Sequence, residues 1–445
     1  MSGIQADASV PPNITMVGRG HNAPPASLRR NSAARFLADG AGLIFGVVAG
    51  VITARWLGPE GKGLFASVTF LAALVMQASS LGLGDAAIVM AGQQRVSLQR
   101  ALSATLGALV YGALGGMLVF WLAAVVAFGQ DWEQARTAVV VASLGIPVSL
   151  FAYVLQFILA AEERIVASST VLAVTSSLTT VGLWLFIPVL DLSVVGGVLG
   201  TVLGASGGLI LAAWLVRRGH LSLRPRWNRA YIRQAIAYGL TVEASYLVTV
   251  MFLRVDLLLV YSLAGSGAAG HYSVALTIST MVALVPIAIT HAIFPRLAHV
   301  GAPEASALTA QACRLATAAA LGAGFLLLVA TPGIVPLLFG HEFRPAVVAT
   351  VIMIPGSILW SAQWLLCRAE AARGRPGLLL VSFASGLSVM IGGDLVLIPP
   401  FGIVGAALAS VAGPVAGLLI CVVQYHRSPE WPLPLTQLVP RADDA

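Results

Sequence analysis

Twelve apolar stretches, each of about 20 residues or more and parted by short polar segments, constrain this chain more than any other feature. They fall at about 34–56, 64–92, 101–128, 137–161, 165–188, 192–216, 235–263, 268–295, 313–339, 345–368, 377–398 and 402–424. About 20 helical residues cross the ~30 Å hydrocarbon core of a bilayer, and inside it only helices and closed barrels satisfy their own backbone. Charged residues are 10% of the chain, against about a quarter in soluble proteins. These features exclude a soluble enzyme and leave no room for a globular catalytic domain. The expectation is an all-α polytopic membrane protein of about 12 transmembrane helices.

An even number of spans puts both termini on one side. Lys and Arg number 20 on the terminus side and four on the other, namely Arg55, Lys62, Arg136 and Arg344, with Arg254 left inside the seventh span. The positive-inside rule then makes both termini cytoplasmic. Residues 1–33 are polar and carry no apolar core of a cleaved signal, so they read as a disordered cytoplasmic tail. Residues 217–234 carry six arginines and divide the spans six and six. The chain thus parses into a six-helix bundle over 34–216, a basic cytoplasmic linker over 217–234, a second bundle over 235–424 and a tail over 425–445.

The halves repeat. Gly58-Pro-Glu-Gly-Lys-Gly63-Leu-Phe65 aligns with Gly265-Ser-Gly-Ala-Ala-Gly270-His-Tyr272 at an offset of 207. Gly196, Gly200, Gly204 and Gly208 of span six align with Gly405, Ala409, Gly413 and Gly417 of span twelve at an offset of 209. Six spans separate the copies, so the repeats are parallel and related by an axis along the membrane normal, an arrangement that transporters build around a midplane cavity. Small residues every fourth position let helix backbones approach, and packing explains these ladders.

Ionisable side chains inside a span cost about 3 kcal/mol each on insertion scales, so each is a functional candidate. Arg35 and Asp39 lie four apart on span one, at pairing distance. Glu243 and Arg254 are eleven residues apart on span seven, three turns plus about 20°, and share a face that is expected to line the cavity. Asp256 points nearly the opposite way, toward another helix or the outer interface. Candidate substrate-binding residues are therefore Arg254, Glu243, Arg35 and Asp39, and candidate ion-coupling residues are Glu243, Asp39 and Asp256. Asp85 and Asp394 lie near span ends, where a carboxylate reaches interfacial water. His271 and His291 read as packed or interfacial histidines. Cys313, Cys367 and Cys421 show neither CxxC nor metal-ligand spacing, so zinc and structural disulfides are not expected. No Walker A motif is present, and no cofactor is expected.

Ala54-Arg-Trp-Leu-Gly-Pro-Glu-Gly-Lys-Gly-Leu-Phe-Ala66, followed by Ser80-Leu-Gly-Leu-Gly84, resembles the first-to-second helix region of Wzx-type polysaccharide flippases. Arg254-Val-Asp256, Gly270-His-Tyr-Ser-Val-Ala275 and Phe294-Pro-Arg296 resemble their seventh and eighth helices, and Phe401-Gly-Ile-Val-Gly-Ala-Ala-Leu-Ala409 is like their twelfth. The resemblance covers nearly the whole chain. It implies the superfamily that also holds multidrug extruders and lipid II flippases, with two six-helix bundles around a V-shaped cavity. It implies transport of a polyprenyl-diphosphate-linked oligosaccharide across the bacterial cytoplasmic membrane by alternating access, in polysaccharide biosynthesis. The implied partners are that lipid-linked oligosaccharide, membrane lipids and polysaccharide assembly proteins, with no nucleic acid. The alternatives are a multidrug extruder of the same superfamily, and a membrane polysaccharide polymerase or ligase. The last would need a substantial periplasmic loop, and the sequence offers none.

Overall fold

Gly58 folds the longest helix in two. A computed structural model describes residues 25–93, 96–162, 164–297, 302–372 and 377–427, and α1 (Pro25–Ser80) runs through them as a bent rod of 56 residues. At the bend Gly58 takes φ 64° and ψ −177°, a left-handed conformation that glycine adopts without strain, and Pro59 starts the second limb. Eleven helical segments are long and apolar enough to cross a membrane, the first being 53 residues over Gly40–Gly92. At 1.5 Å per residue that segment is about 80 Å long, more than twice the bilayer core, so it crosses twice. The described residues therefore make twelve crossings.

The second crossing is itself broken. Leu81 and Gly82 both take positive φ, and α2 (Leu83–Gly92) continues the span beyond them. Crossings three to six are α3 (Leu98–Ala127), α4 (Trp132–Ala161), α5 (Ile165–Trp184) and α6 (Ser193–Arg218). Crossing seven is α7 (Arg229–Ala264). Crossing eight is α8 (Ser266–Ser279) and α9 (Leu284–Leu297), parted by a 3-10 turn, so the second crossing of each half is interrupted. The last four are α10 (Ala302–Phe339), α11 (Pro345–Ala372), α12 (Gly377–Phe401) and α13 (Ile403–Arg427).

Packing follows the repeat. In one half α1 packs on α5, α4 on α6 and α5 on α6; in the other α7 packs on α12, α11 on α13 and α12 on α13. The small-residue ladders make these seams. A Cβ at Gly200 would lie 2.7 Å from Leu183 N, and one at Gly405 would lie 2.1 Å from Leu397 O, so α6 and α13 each meet the preceding helix backbone to backbone.

Glycines also set the contact between halves. A Cβ at Gly63 would fall 1.8 Å from Ser266 O, and one at Gly270 would fall 1.9 Å from Pro59 O. Gly63 and Gly270 are equivalent by the 207-residue offset, as are Pro59 and Ser266, so the local two-fold axis passes through this contact. Gly265 repeats the Gly58 bend with φ 90° and ψ 172°. The repeat seen in the sequence is thus the footprint of one close crossing, at the side away from the chain ends.

Around that crossing one apolar cluster joins both halves, with Leu64, Val68, Phe120 and Phe128 against Leu257, Tyr261, Tyr272 and Ala406. Tyr261 donates to Asp131 Oδ2 at 2.7 Å, and Arg55 donates to the carbonyls of Leu337 and Leu338 at the end of α10. On the side of the chain ends the apolar clusters separate. One belongs to the first half together with the start of α7, and another belongs to the second half.

Three boundaries differ from the sequence reading. The helix begins at Pro25, inside the stretch read as a tail over 1–33, because 25–33 carries no glycine or further proline to stop it. The linker between α6 and α7 is only 219–228, since Arg217 and Arg218 close α6 while Arg229 and Arg233 open α7. Lys62, counted above as a loop cation, is helical and 5% exposed because the second limb starts at Pro59 rather than at 64.

Candidate functional site

Between the far-side apolar seal and the chain-end side, polar groups gather where α7 faces the first half. Glu243 is buried and accepts three hydrogen bonds from the second crossing. Gln77 Nε2 donates to Oε1 at 2.9 Å, while Ser80 Oγ and Gly82 N donate to Oε2 at 2.6 and 2.9 Å. The break at Leu81–Gly82 supplies the Gly82 N–H by freeing it from the helix. Glycine is required at this break, since a Cβ at Gly82 would fall 2.2 Å from Gly239 O. A carboxylate holding three donors across the interface is a latch between α7 and the broken second crossing.

Arg254 lies three turns further along α7, ten residues from its end at Ala264 and so about 15 Å inside the span. It is exposed and, among the described residues, makes no hydrogen bond or ion pair. A guanidinium at that depth is costly against lipid. Lys62, on the second limb of α1, and Asp256, two residues on along α7, are both within electrostatic range of it. Lys62 Nζ donates to Thr53 Oγ1 at 2.9 Å and Gly50 O at 3.3 Å. No carboxylate among the described residues pairs with it. Two cations from opposite halves thus stand near one another, neither of them ion-paired among the described residues, with the Asp256 carboxylate also within electrostatic range of Arg254.

Asp256 turns into the second half. It accepts from Tyr272 Oη at 2.6 Å, Ser410 Oγ at 2.9 Å and its neighbour's Leu257 N at 2.8 Å, beside a cavity of about 60 Å³ that also touches Ser279, Thr280 and Trp360. Asp394 on α12 lies within electrostatic range of Asp256. It does not reach interfacial water as expected. The residue is 0% exposed and neither carboxylate oxygen has a hydrogen-bond partner among the described residues, because α12 continues to Phe401 and its inner face is packed. Asp85, by contrast, is partly exposed near the start of α2.

The structure does not bring all the sequence candidates together. Glu243 is bonded to the first half, Arg254 is exposed further along α7, and Asp256 faces the interior of the second half. Arg35 and Asp39 lie on the first limb of α1, and their side chains fall outside the described residues, as does that of His291. His271 meets the Glu342 carbonyl at 3.0 Å and packs edge-on against Phe343. Cys367 and Cys421 are buried free thiols whose sulfurs are 3.3 Å apart. The sequence reading missed Lys62, the donors Gln77 and Ser80, and a ladder on α11. In that ladder Trp360 and Trp364 lie 5.8 Å apart and the Arg368 guanidinium sits 4.7 Å above Trp364. Its signal was present in the sequence as Trp, Trp and Arg at four-residue spacing within one span.

A family profile described as "Polysaccharide biosynthesis protein" matches residues 52–348, well over half of the chain. The chain belongs to this polysaccharide biosynthesis family. No curated protein sequence matches it. Among solved structures it is similar to the lipid II flippase MurJ in an inward closed conformation, at 11% identity and TM-score 0.74, covering 90% of this chain and 88% of MurJ. An inward-facing multidrug resistance MATE family transporter of the MOP superfamily superposes at 16% identity and TM-score 0.70, covering 86% of this chain and 93% of that one. An outward-facing MATE transporter gives 16% and 0.63, covering 89% and 94%. These likenesses fix the fold as the two-lobe, 12-helix one. With the family match and the eleven long apolar helical segments they make this member of the polysaccharide biosynthesis family a multi-pass membrane protein.

Proposed function

We propose that the chain moves a polyprenyl-diphosphate-linked oligosaccharide from the cytoplasmic to the periplasmic leaflet by alternating access. The carrying observation is the pair Arg254 and Lys62, two cations from opposite halves, neither of them ion-paired among the described residues. A diphosphate is the complementary charge, and a guanidinium binds phosphate oxygens through paired hydrogen bonds. Arg35 and Asp39 on the first limb of α1 are further candidates for the same space. In this reading the chain ends are cytoplasmic, the shared apolar cluster closes the periplasmic side, and the lipid tail stays in the bilayer.

Coupling is placed at Asp256 with Asp394. A fully buried carboxylate with neither oxygen bonded is stable only when protonated or beside a cation, so the pair is where a driving ion would register. Glu243 serves as the latch described above and holds the cytoplasmic ends of the halves together. The multidrug reading rests on Glu243 as the acid that takes a cationic drug, whereas Glu243 is already held by three donors.

Deleting the gene tests this reading. The expected result is loss of a surface or secreted polysaccharide, with lipid-linked repeat units accumulating on the cytoplasmic leaflet and unchanged susceptibility to cationic dyes. Intact polysaccharide with dye hypersensitivity would replace the reading with drug extrusion. Repeat units already exposed on the periplasmic leaflet would replace it with polymerisation or ligation.

A further inference from the structure

The short linker between the halves is bound to α3 rather than looped into solvent. Gln99 and Ser222 exchange two hydrogen bonds, Nε2 to the Ser222 carbonyl at 2.9 Å and Ser222 N to Oε1 at 2.6 Å. Arg226 N donates to the Ser103 carbonyl at 2.8 Å, a backbone group near the helix start. One turn on, Gly107 admits the linker, since a Cβ there would lie 2.7 Å from Arg226 O. A further turn on, Tyr111 meets Trp227 edge-on with ring centres 4.8 Å apart. Residues 103, 107 and 111 thus form one strip of α3 that fixes the linker's course.

The course creates a cavity of about 390 Å³ between linker and α3, and Arg100, Arg224 and Arg226 all line it. No carboxylate lines it, and none of the three arginines is ion-paired among the described residues. Beside it Trp227 and Tyr111 are 59% and 64% exposed. Exposed Trp and Tyr together mark the headgroup level of a bilayer. A basic pocket at that level is chemically matched to an anionic lipid headgroup, and on the cytoplasmic side it meets the leaflet surface that carries such lipids.

We propose that this pocket binds the headgroup of an anionic phospholipid of the surrounding bilayer. The three guanidinium groups hold the phosphodiester, the Trp227 and Tyr111 rings sit against the upper acyl chains, and the bound lipid ties the linker to α3. The site is independent of the cargo proposed above, because its residues are neither Arg254 nor Lys62.

The test uses the purified full-length chain in detergent. Native mass spectrometry counts bound phosphatidylglycerol and phosphatidylcholine for the wild type and for the double variant Arg224→Gln/Arg226→Gln. This variant retains the main-chain bonds to Ser103 and Gln99. The expected result is preferential phosphatidylglycerol binding by the wild type and an at least tenfold weaker affinity in the double variant, with phosphatidylcholine binding unchanged. Arg100→Gln, on α3 rather than the linker, should weaken binding in the same direction, which keeps the test valid if the double variant folds poorly. Equal phosphatidylglycerol affinity in all three proteins would overturn the proposal. Displacement of the lipid by millimolar inorganic phosphate would make the pocket a free-anion site, and selective displacement by polyprenyl phosphate would assign it to cargo; either result overturns it.

Discussion

Arg254→Ala is expected to accumulate in the membrane at the wild-type level and to lose transport by about tenfold to a hundredfold. The range follows from hydrogen bonds to a charged group, worth about 1.5–3 kcal/mol, with each 1.4 kcal/mol a factor of ten. Insertion and folding should not suffer. Among the described residues Arg254 makes no hydrogen bond or ion pair that the alanine would break, and the buried Asp256 within its electrostatic range keeps its bonds from Tyr272, Ser410 and Leu257 N. Arg254→Lys keeps the charge but loses the planar fork, and should retain part of the activity. Complementation of a deletion strain, with membrane protein measured by immunoblot, separates the two effects. Wild-type transport by Arg254→Ala would remove the residue from the cargo path, and failure to accumulate would make it a structural cation.

Glu243→Ala should instead act on the conformation. Its carboxylate is the shared acceptor of Gln77, Ser80 and Gly82, and removing it leaves three donors at a buried interface. Each buried neutral donor left unsatisfied costs about 1–3 kcal/mol, so three together cost at least about 3 kcal/mol. Hydrogen exchange at residues 77–84 and 239–246 is therefore expected to quicken by at least about a hundredfold. Exchange around Pro59–Gly63 and Ser266–Gly270, at the other end of the same interface, should stay slow. Unchanged protection at 77–84 would show that the latch does not hold the halves together.

The fold was legible because the bilayer simplifies it. Twelve apolar stretches give twelve crossings, and the 207-residue offset exposes the two halves because backbone contact at Gly63 and Gly270 demands glycine in both copies. Helix ends were less legible. Hydropathy marks where lipid contact stops rather than where a helix stops, so it missed that the second crossing begins at Pro59 and that α6 and α7 carry four of the six linker arginines.

The site was legible in one dimension only. Helical geometry puts Glu243 and Arg254 on one face of α7, and the structure bonds Glu243 to the first half. Which charge meets which partner depends on tertiary contacts that sequence spacing does not encode. Lys62 read as a loop cation because it follows Pro59 and Gly61, residues that usually punctuate chains but here sit just past a bend in continuous helix. Asp394 read as interfacial from its distance to a span end, whereas packing of α12 encloses it completely.

The most direct measurement of the central claim is leaflet movement in reconstituted vesicles. The purified full-length chain is placed in liposomes with a fluorescent polyprenyl-diphosphate oligosaccharide, and an impermeant reductant bleaches whatever stands in the outer leaflet. Wild-type protein is expected to make the pool protected in protein-free vesicles accessible, and Arg254→Ala to do so about tenfold to a hundredfold more slowly. A protected pool unchanged by wild-type protein, in vesicles that do move a cationic dye, would contradict the claim.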